Sequence, residues 1–436
     1  MSKRPIRLGI LCGGGPAPGM NSVICAATIE AINSGWEVYG IPDGFSRLMN
    51  GETSHVVRLT VDDVSRIHLQ GGSVLFTSRA NPTKQPEKLD ATVAALQQLG
   101  LDALLTIGGD DTGYSAAVVA NAANAAKSDL RVAHVPKTID NDLPLPGDVP
   151  TFGYQTARHV GAEQVSNLMT DALTTKRWFF VVAMGRQAGH LAQGIGKSAG
   201  ATITVIPEDF PADQPIRLAH IVDILETAVY KRIAHGRPFG VAVMAEGLSL
   251  RFPQEDIDQA MPNAERDDHG HVRLSEVHLH RLLTDIVRKR LAERGHSVTI
   301  VAKNIGYELR SAPPIPFDIE YTRDLGYGAV DYLRGLLSAD QRDEVGAMVT
   351  IQRGELVPLR FGTFNDPATG RPRVRTVNPK SEAYRVAREY QIRLEPDDFA
   401  HEERLAAIAA AASMTPDEFR QRYGYIVEQD AFKPRN

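Results

Sequence analysis

Residues 6–41 read IRLGILCGGGPAPGMNSVICAATIEAINSGWEVYGI, and this stretch decides the fold class. Ile6 to Cys12 is a short apolar run, the pattern of a buried strand. Gly13 to Gly19 is a glycine-rich turn. Met20 to Ser34 has a helical pattern that stops at Gly35, and Trp36 to Ile41 returns as a second strand. A strand, a glycine turn, a helix and a strand in that order predict a βαβ unit and a parallel sheet. The alternation continues outward from this point. Strands are expected at Leu101 to Ile107 and Leu130 to Val135, with a small-residue helix at Tyr114 to Ala126 between them. A second series follows. Strands are expected at Trp178 to Met184, Thr202 to Ile206, Gly240 to Ala245 and Ser297 to Ile305, and helices at Gly189 to Ser198, Arg217 to His235 and Val277 to Arg294.

The expected organisation is an α/β lobe over 1–150, a second α/β lobe over 151–335, and a partly helical C-terminal segment, 336–436, that packs back on the lobes. Leu250 to His271 is polar and reads as an exposed loop, while Leu405 to Ala412 reads as an alanine-rich helix. There is no tandem repeat and no low-complexity tract.

Composition narrows the function classes. The chain has 436 residues, 43% hydrophobic and 23% charged, with a net charge of -5. That is ordinary for a globular protein of more than one lobe. The acidic balance points away from nucleic acid and from anionic membrane surfaces. An acidic protein that binds anions must gather Arg and Lys locally. The two cysteines, Cys12 and Cys25, cannot build a zinc site or a disulfide framework, and they read as small apolar residues near the first turn. The N-terminal apolar run is too short for a signal peptide, and no stretch reaches the ~18 apolar residues of a membrane span. The expected compartment is the cytoplasm.

The chemistry-bearing motifs follow predicted strands, where open parallel sheets bind ligands. Gly13-Gly14-Gly15-Pro16-Ala17-Pro18-Gly19-Met20-Asn21 leads into a helix, so its backbone N–H groups suit an anion. It lacks the G-x-G-x-x-G spacing of dinucleotide turns. Gly108-Gly109-Asp110-Asp111-Thr112 suits a phosphate loop with a magnesium ligand, although its acids could equally cap a helix. Pro136-Lys137-Thr138-Ile139-Asp140-Asn141-Asp142 pairs two carboxylates with a lysine, a set able to do general-base work. Met184-Gly185-Arg186 closes a strand that Arg177 opens, and an arginine at a strand end can grip phosphate with two parallel bonds. Ala245-Glu246-Gly247 and Gly306-Tyr307-Glu308-Leu309-Arg310 also follow strands. One decoy, Gly194-Ile195-Gly196-Lys197-Ser198, ends like a P-loop but has Leu191 where the first glycine belongs.

Taken singly, each motif is weak. The ordered set, spanning about 6–335, resembles the phosphofructokinase family. The resemblance implies two Rossmann-like three-layer α/β/α lobes with mostly parallel sheets. It implies that Asp140 is the base for a sugar 1-hydroxyl, that Asp110 serves Mg2+, and that the turn at Gly14 touches the donor phosphates. It places Thr138, Asp142, Met184, Gly185, Arg186, Glu246, Tyr307 and Arg310 on the sugar phosphate or the transferring group. It gives Arg177 to the 6-phosphate bound by a neighbouring subunit, hence a homodimer or homotetramer. On this reading the lobe at 1–150 takes the donor and Mg2+, and the lobe at 151–335 takes the sugar phosphate.

The donor rests on two positions. ATP-using members of the family have glycine where this chain has Asp111 and Lys137. A carboxylate at 111 opposes the α-phosphate of a nucleotide by bulk and by charge, and Lys137 can bridge toward pyrophosphate. Pro16 and the stretch from Tyr307 to Ala329 resemble the pyrophosphate-using branch as well. Three features depart from the pattern or fit it loosely. Gln155 stands where Asp is common, Lys303 is a loose match for a second basic residue acting across subunits, and Glu208, in a segment that binds effectors in some relatives, reads as structural. The alternatives are an ATP-dependent enzyme, a pyrophosphate enzyme acting on sedoheptulose 7-phosphate, another GGD-loop kinase such as an NAD or lipid kinase, and a sensor that binds sugar phosphates without turnover.

Overall fold

The computed structural model describes every residue except 1–3, 147–148, 263–264, 266–277, 339–343, 364–372, 431 and 433–436. The chain forms two compact units, each built from two separate segments. One holds Met1–Ala157 with Glu308–Arg375, and the other Arg158–Tyr307 with Thr376–Asn436. The division therefore differs from three consecutive segments. Residues 308–335 belong with the N-terminal unit, and the C-terminal stretch is shared between the two.

The first unit carries strands β1 (Arg7–Cys12), β2 (Glu37–Ile41), β3 (Val57–Leu59), β4 (Ala103–Gly108), β5 (Arg131–Thr138) and β6 (Phe152–Gly153). In the second unit lie β7 (Trp178–Ala183), β8 (Ile203–Val205), β9 (Gly240–Ala245) and β10 (Ile300–Ile305), while β11 (Gly346–Gln352) and β12 (Glu355–Arg360) return to the first. The first sheet has the order β12-β11-β5-β4-β1-β2-β3, with β6 beside β5. Only the outermost pairs, β11 with β12 and β2 with β3, are antiparallel. Leu11, Leu104 and Val132 pack under the helix Asp110–Ala125 on one face of this sheet. Their strand neighbours point to the other face, as the two-residue period of a strand requires. The helix Pro316–Ser338 covers β5 there and packs on Met20–Asn33.

The second sheet, β10-β7-β9-β8, is wholly parallel. Trp178, Phe180 and Val182 enter one core with the helices Leu218–Ala234 and Leu279–Glu293. Phe419, Tyr423 and Ile426 of the helix Pro416–Glu428 join the same core, so the C-terminal helices complete the second unit.

Three departures from the sequence-based expectation have physical causes. The hairpin β11–β12 was not anticipated. Its turn, Arg353-Gly354, has φ of 53 and 82, the double positive φ of a type I′ turn, and Pro358 lies on the outermost strand, where a missing N–H costs no ladder bond. The helix expected from Tyr114 begins at Asp110, because acids in a first turn suit the positive end of the helix dipole. Within the expected loop Leu250 to His271, Gln254–Ala260 is helical, and Asp256 accepts the N–H of Leu218 at 2.8 Å. Residues 266–271 of that loop lie outside the described residues. Among the described residues, no helix is long and apolar enough to cross a membrane.

Candidate active site

The first unit gathers three motifs that are far apart in sequence. The N–H of Gly13 donates to Ile107 O at 2.8 Å, and that of Gly14 to Ser78 O at 2.8 Å, so the glycine turn is stitched to the end of β4 and to a second loop. Gly13 has no room for a side chain, and Gly14 needs its positive φ. A Cβ on Gly13 would lie 2.4 Å from Thr112 Oγ1, and one on Gly15 would lie 2.9 Å from Arg310 Nη1. One on Gly14, whose φ is 79, would stand 3.6 Å from Lys137 Nζ. The turn thus lies against the GGDDT loop through Thr112 and is flanked by two cations.

Lys137 comes from strand, not loop. β5 continues through Pro136, Lys137 and Thr138, although proline cannot donate in a ladder. On the side away from β4, β11 pairs with Val132–His134 and β6 with Lys137–Thr138. Pro136 falls in the gap between them, where no N–H is called for. Thr138 then turns the chain, its Oγ1 accepting the N–H of Asp140 at 3.0 Å.

Electrostatics couple the same residues. Burial pushes the Asp110 carboxyl up to about 7, helped by the negative charges of Asp142 and Asp111 and opposed by Lys137. Asp142 is also raised, chiefly by burial, while its bond from Thr138 and the charge of Lys137 pull the other way. Burial brings the Lys137 ammonium down to about 8, with Asp140 and Asp142 resisting and Arg310 assisting. Among the described residues, no three of His, Cys, Asp or Glu come close enough to cage a metal unaided.

The second unit brings together Met184-Gly185-Arg186, Ala245-Glu246-Gly247 and Gly306 at the carboxyl ends of β7, β9 and β10. Met184 N–H donates to Ile305 O at 3.0 Å, and Gly247 N–H to Gly185 O at 3.1 Å. Gly185 has φ of 134, a Cβ on Gly247 would meet Arg186 O at 2.5 Å, and one on Gly306 would meet Met184 Cε at 2.9 Å. Arg186 and Tyr307 are exposed, and Glu246 is half-buried. Arg177 is not part of this cluster. It precedes β7, at the other end of a six-residue strand that is roughly 20 Å long. Lys303 is half-buried, opposite Val181 in β10. Glu208 caps the helix His190–Ala199. Its two carboxylate oxygens accept Gly189 N–H at 2.9 and 3.1 Å, and the first also accepts Val377 N–H at 3.0 Å.

The chain matches the sequence profile of the family Phosphofructokinase over residues 7–333, about three quarters of its length. It belongs to the phosphofructokinase family. It is 53% identical to a pyrophosphate--fructose 6-phosphate 1-phosphotransferase of Thermotoga maritima, over 97% of this chain and 99% of that one. It is 49% identical to a protein of the same name from Naegleria fowleri, over 97% and 96%. The crystal structure of a pyrophosphate-dependent phosphofructokinase from Marinobacter aquaeolei shares the fold, with a TM-score of 0.64 over 99% of this chain and 94% of that one at 15% identity.

Two residues that the sequence did not single out help to order these motifs. Ser78 bridges to Gly13. The geometry left open at Gln155 is set by the buried Asp318, which accepts the N–H of Gly153 at 2.9 Å, the N–H of Thr156 at 2.7 Å and the Thr156 hydroxyl at 2.6 Å. Neither has a local signature, since the partners are 65 and about 160 residues away in the chain. The guanidinium of Arg310 lies against Gly15.

Proposed function

We propose that this phosphofructokinase moves a phosphoryl group from pyrophosphate to the 1-hydroxyl of fructose 6-phosphate, giving fructose 1,6-bisphosphate and phosphate in a near-reversible reaction. The two relatives that match almost the whole chain carry the name of this activity. The observation that carries the donor is the placement of Lys137, a buried cation beside Gly14 with Asp111 on the neighbouring helix start. That cation can bind a compact polyanion such as pyrophosphate, whereas Asp111 repels a longer polyphosphate.

In this reading Asp140 accepts the proton as the O–P bond forms, and Lys137 and Arg310 hold negative charge on the donor. Met184, Gly185, Arg186, Glu246, Tyr307, Thr138 and Asp142 are read as contacts of the sugar phosphate or the transferring group. The residues suit a divalent cation. Asp110 is buried and feels the negative charge of Asp142 and Asp111, and Mg2+ characteristically takes one or two carboxylates plus phosphate oxygens and water. Asp110 would hold Mg2+, which when bound would neutralise charge on the donor. Arg177, at the far end of β7, is read as reaching a neighbouring subunit of a homodimer or homotetramer. The two cysteines are buried and unpaired, in keeping with a cytoplasmic enzyme.

The test is phosphorylation of fructose 6-phosphate by the purified protein with Mg2+, comparing pyrophosphate and ATP at equal concentration. Turnover with pyrophosphate alone is expected, and efficient turnover with ATP would refute the donor reading. Binding of sugar phosphate without turnover of either donor would mark a sensor. A parallel assay with sedoheptulose 7-phosphate ranks the acceptors. Asp111→Gly is expected to weaken pyrophosphate use without producing a good ATP enzyme, since a pocket for ribose and adenine is also needed. Steady-state kinetics with both donors check this.

A further inference from the structure

The carboxylates of the KTIDND segment stand on a turn that is gripped from far along the chain. Asn141, between Asp140 and Asp142, has φ of 56, a left-handed conformation that asparagine tolerates better than most residues with a side chain. Several bonds fix the turn there. Part of the hold is local. Asn141 Oδ1 accepts the N–H of Thr151 at 3.0 Å, and the Thr151 hydroxyl donates to Thr138 O at 2.7 Å.

The rest comes from Arg375, 234 residues away. Its Nε donates to Asn141 O at 3.0 Å, its Nη1 to Val149 O at 2.9 Å and its Nη2 to Asn141 Oδ1. Its backbone N–H donates to Asp142 O at 2.7 Å. One planar group therefore ties the turn to the returning segment at Val149. A guanidinium offers these donors in a rigid fork, which the single ammonium of lysine cannot reproduce. The charge of Arg375 also increases the acidity of Asp142.

We propose that Arg375 is a positioning residue for phosphoryl transfer: its guanidinium fixes the Asn141 turn and thereby the placement of Asp140. The inference rests on reading Asp140 as the base. Arg375 acts on that carboxylate through the turn, not through the substrate. Its loss should therefore slow the chemical step while leaving the affinity for both substrates nearly unchanged. A residue needed only for folding would lower melting temperature and the active fraction without a specific effect on kcat.

The experiment compares Arg375→Lys, Arg375→Ala, Asp140→Asn and the double variant Asp140→Asn/Arg375→Ala in the full-length protein. Melting temperature is measured for each, with kcat and KM for fructose 6-phosphate and pyrophosphate. Arg375→Lys is expected to stay folded and to lose roughly 10²-fold in kcat, the scale of a small misplacement of a reacting group, with each KM within about threefold. Millimolar guanidinium ion should restore part of the kcat of Arg375→Ala. The double variant should be no slower than Asp140→Asn alone, because residues acting as one unit are not additive. Parental kcat in Arg375→Lys, a further 10²-fold loss in the double variant beyond Asp140→Asn, or unfolding of both Arg375 variants would each overturn the proposal. Parental turnover by Asp140→Asn would instead sink the base assignment, so the two failures are distinguishable.

Discussion

Asp140→Asn is expected to lower kcat by about 10³-fold or more, the upper range for loss of a general base, while the dissociation constant for fructose 6-phosphate stays within about threefold of the parent. The substitution keeps the shape of the side chain and its place on the turn, where the Asp140 N–H is held by Thr138 Oγ1 at 3.0 Å. What it removes is the ability to take the proton of the attacking hydroxyl. Phosphoryl transfer depends mainly on alignment and charge cancellation, so a residual rate from positioning should survive. Stopped-time assays with pyrophosphate, together with calorimetric titration of the sugar phosphate, separate the two quantities. Turnover within tenfold of the parent would exclude Asp140 as the base.

Lys137→Met should reduce kcat/KM for pyrophosphate by about 10²- to 10³-fold, the usual consequence of removing one fixed charge that stabilises a transition state. Methionine nearly matches the lysine stem, so the packing of a buried side chain is retained and the loss reports on the charge. The pH dependence is a second signature. Burial holds the Lys137 ammonium down to about 8, well below its ordinary range. The protonated form is the useful one. In the free enzyme kcat/KM should therefore be level below that point and fall by about tenfold per pH unit above it. Bound pyrophosphate favours the ammonium, so the alkaline limb of kcat itself should lie at higher pH. Lys137→Arg, which does not titrate in this range, should lose the limb altogether. An unchanged alkaline limb in that variant would assign it to another group.

Asp110 shows how the same motif can be read in two ways at once. The acids after Gly108-Gly109 could serve a cation or begin a helix, and they are placed to do both. Asp110 opens the helix Asp110–Ala125, where its charge meets the positive end of the dipole, and it faces the electrostatic influence of Asp142 and Lys137. The hairpin β11–β12 has a usable local signal, the Arg353-Gly354 pair between apolar runs, inside a segment expected to be partly helical. The departure at Gln155 had none. The group that orders that turn, Asp318, is recognisable only once the chain has folded.

Sequence alone determined the parallel α/β class, the positions of most strands and helices, and the order of the motifs at their ends. These depend on short-range properties: side-chain periodicity, the backbone freedom of glycine, and the position of a turn after a strand. Tertiary structure alone decided which motifs share a neighbourhood. It set Arg310 against Gly15, Lys137 beside Gly14, Pro136 in a gap of the ladder and Arg375 on Asn141. It also decided that the chain leaves its first unit and returns to it, so that 308–375 completes what 1–157 begins. Contacts of that kind, and the burial that shifts Asp110 and Lys137, arise between segments that are distant in the chain, by as many as 234 residues for Arg375 and Asn141. No local pattern encodes them, because they are fixed only when the two segments pack and water is excluded between them.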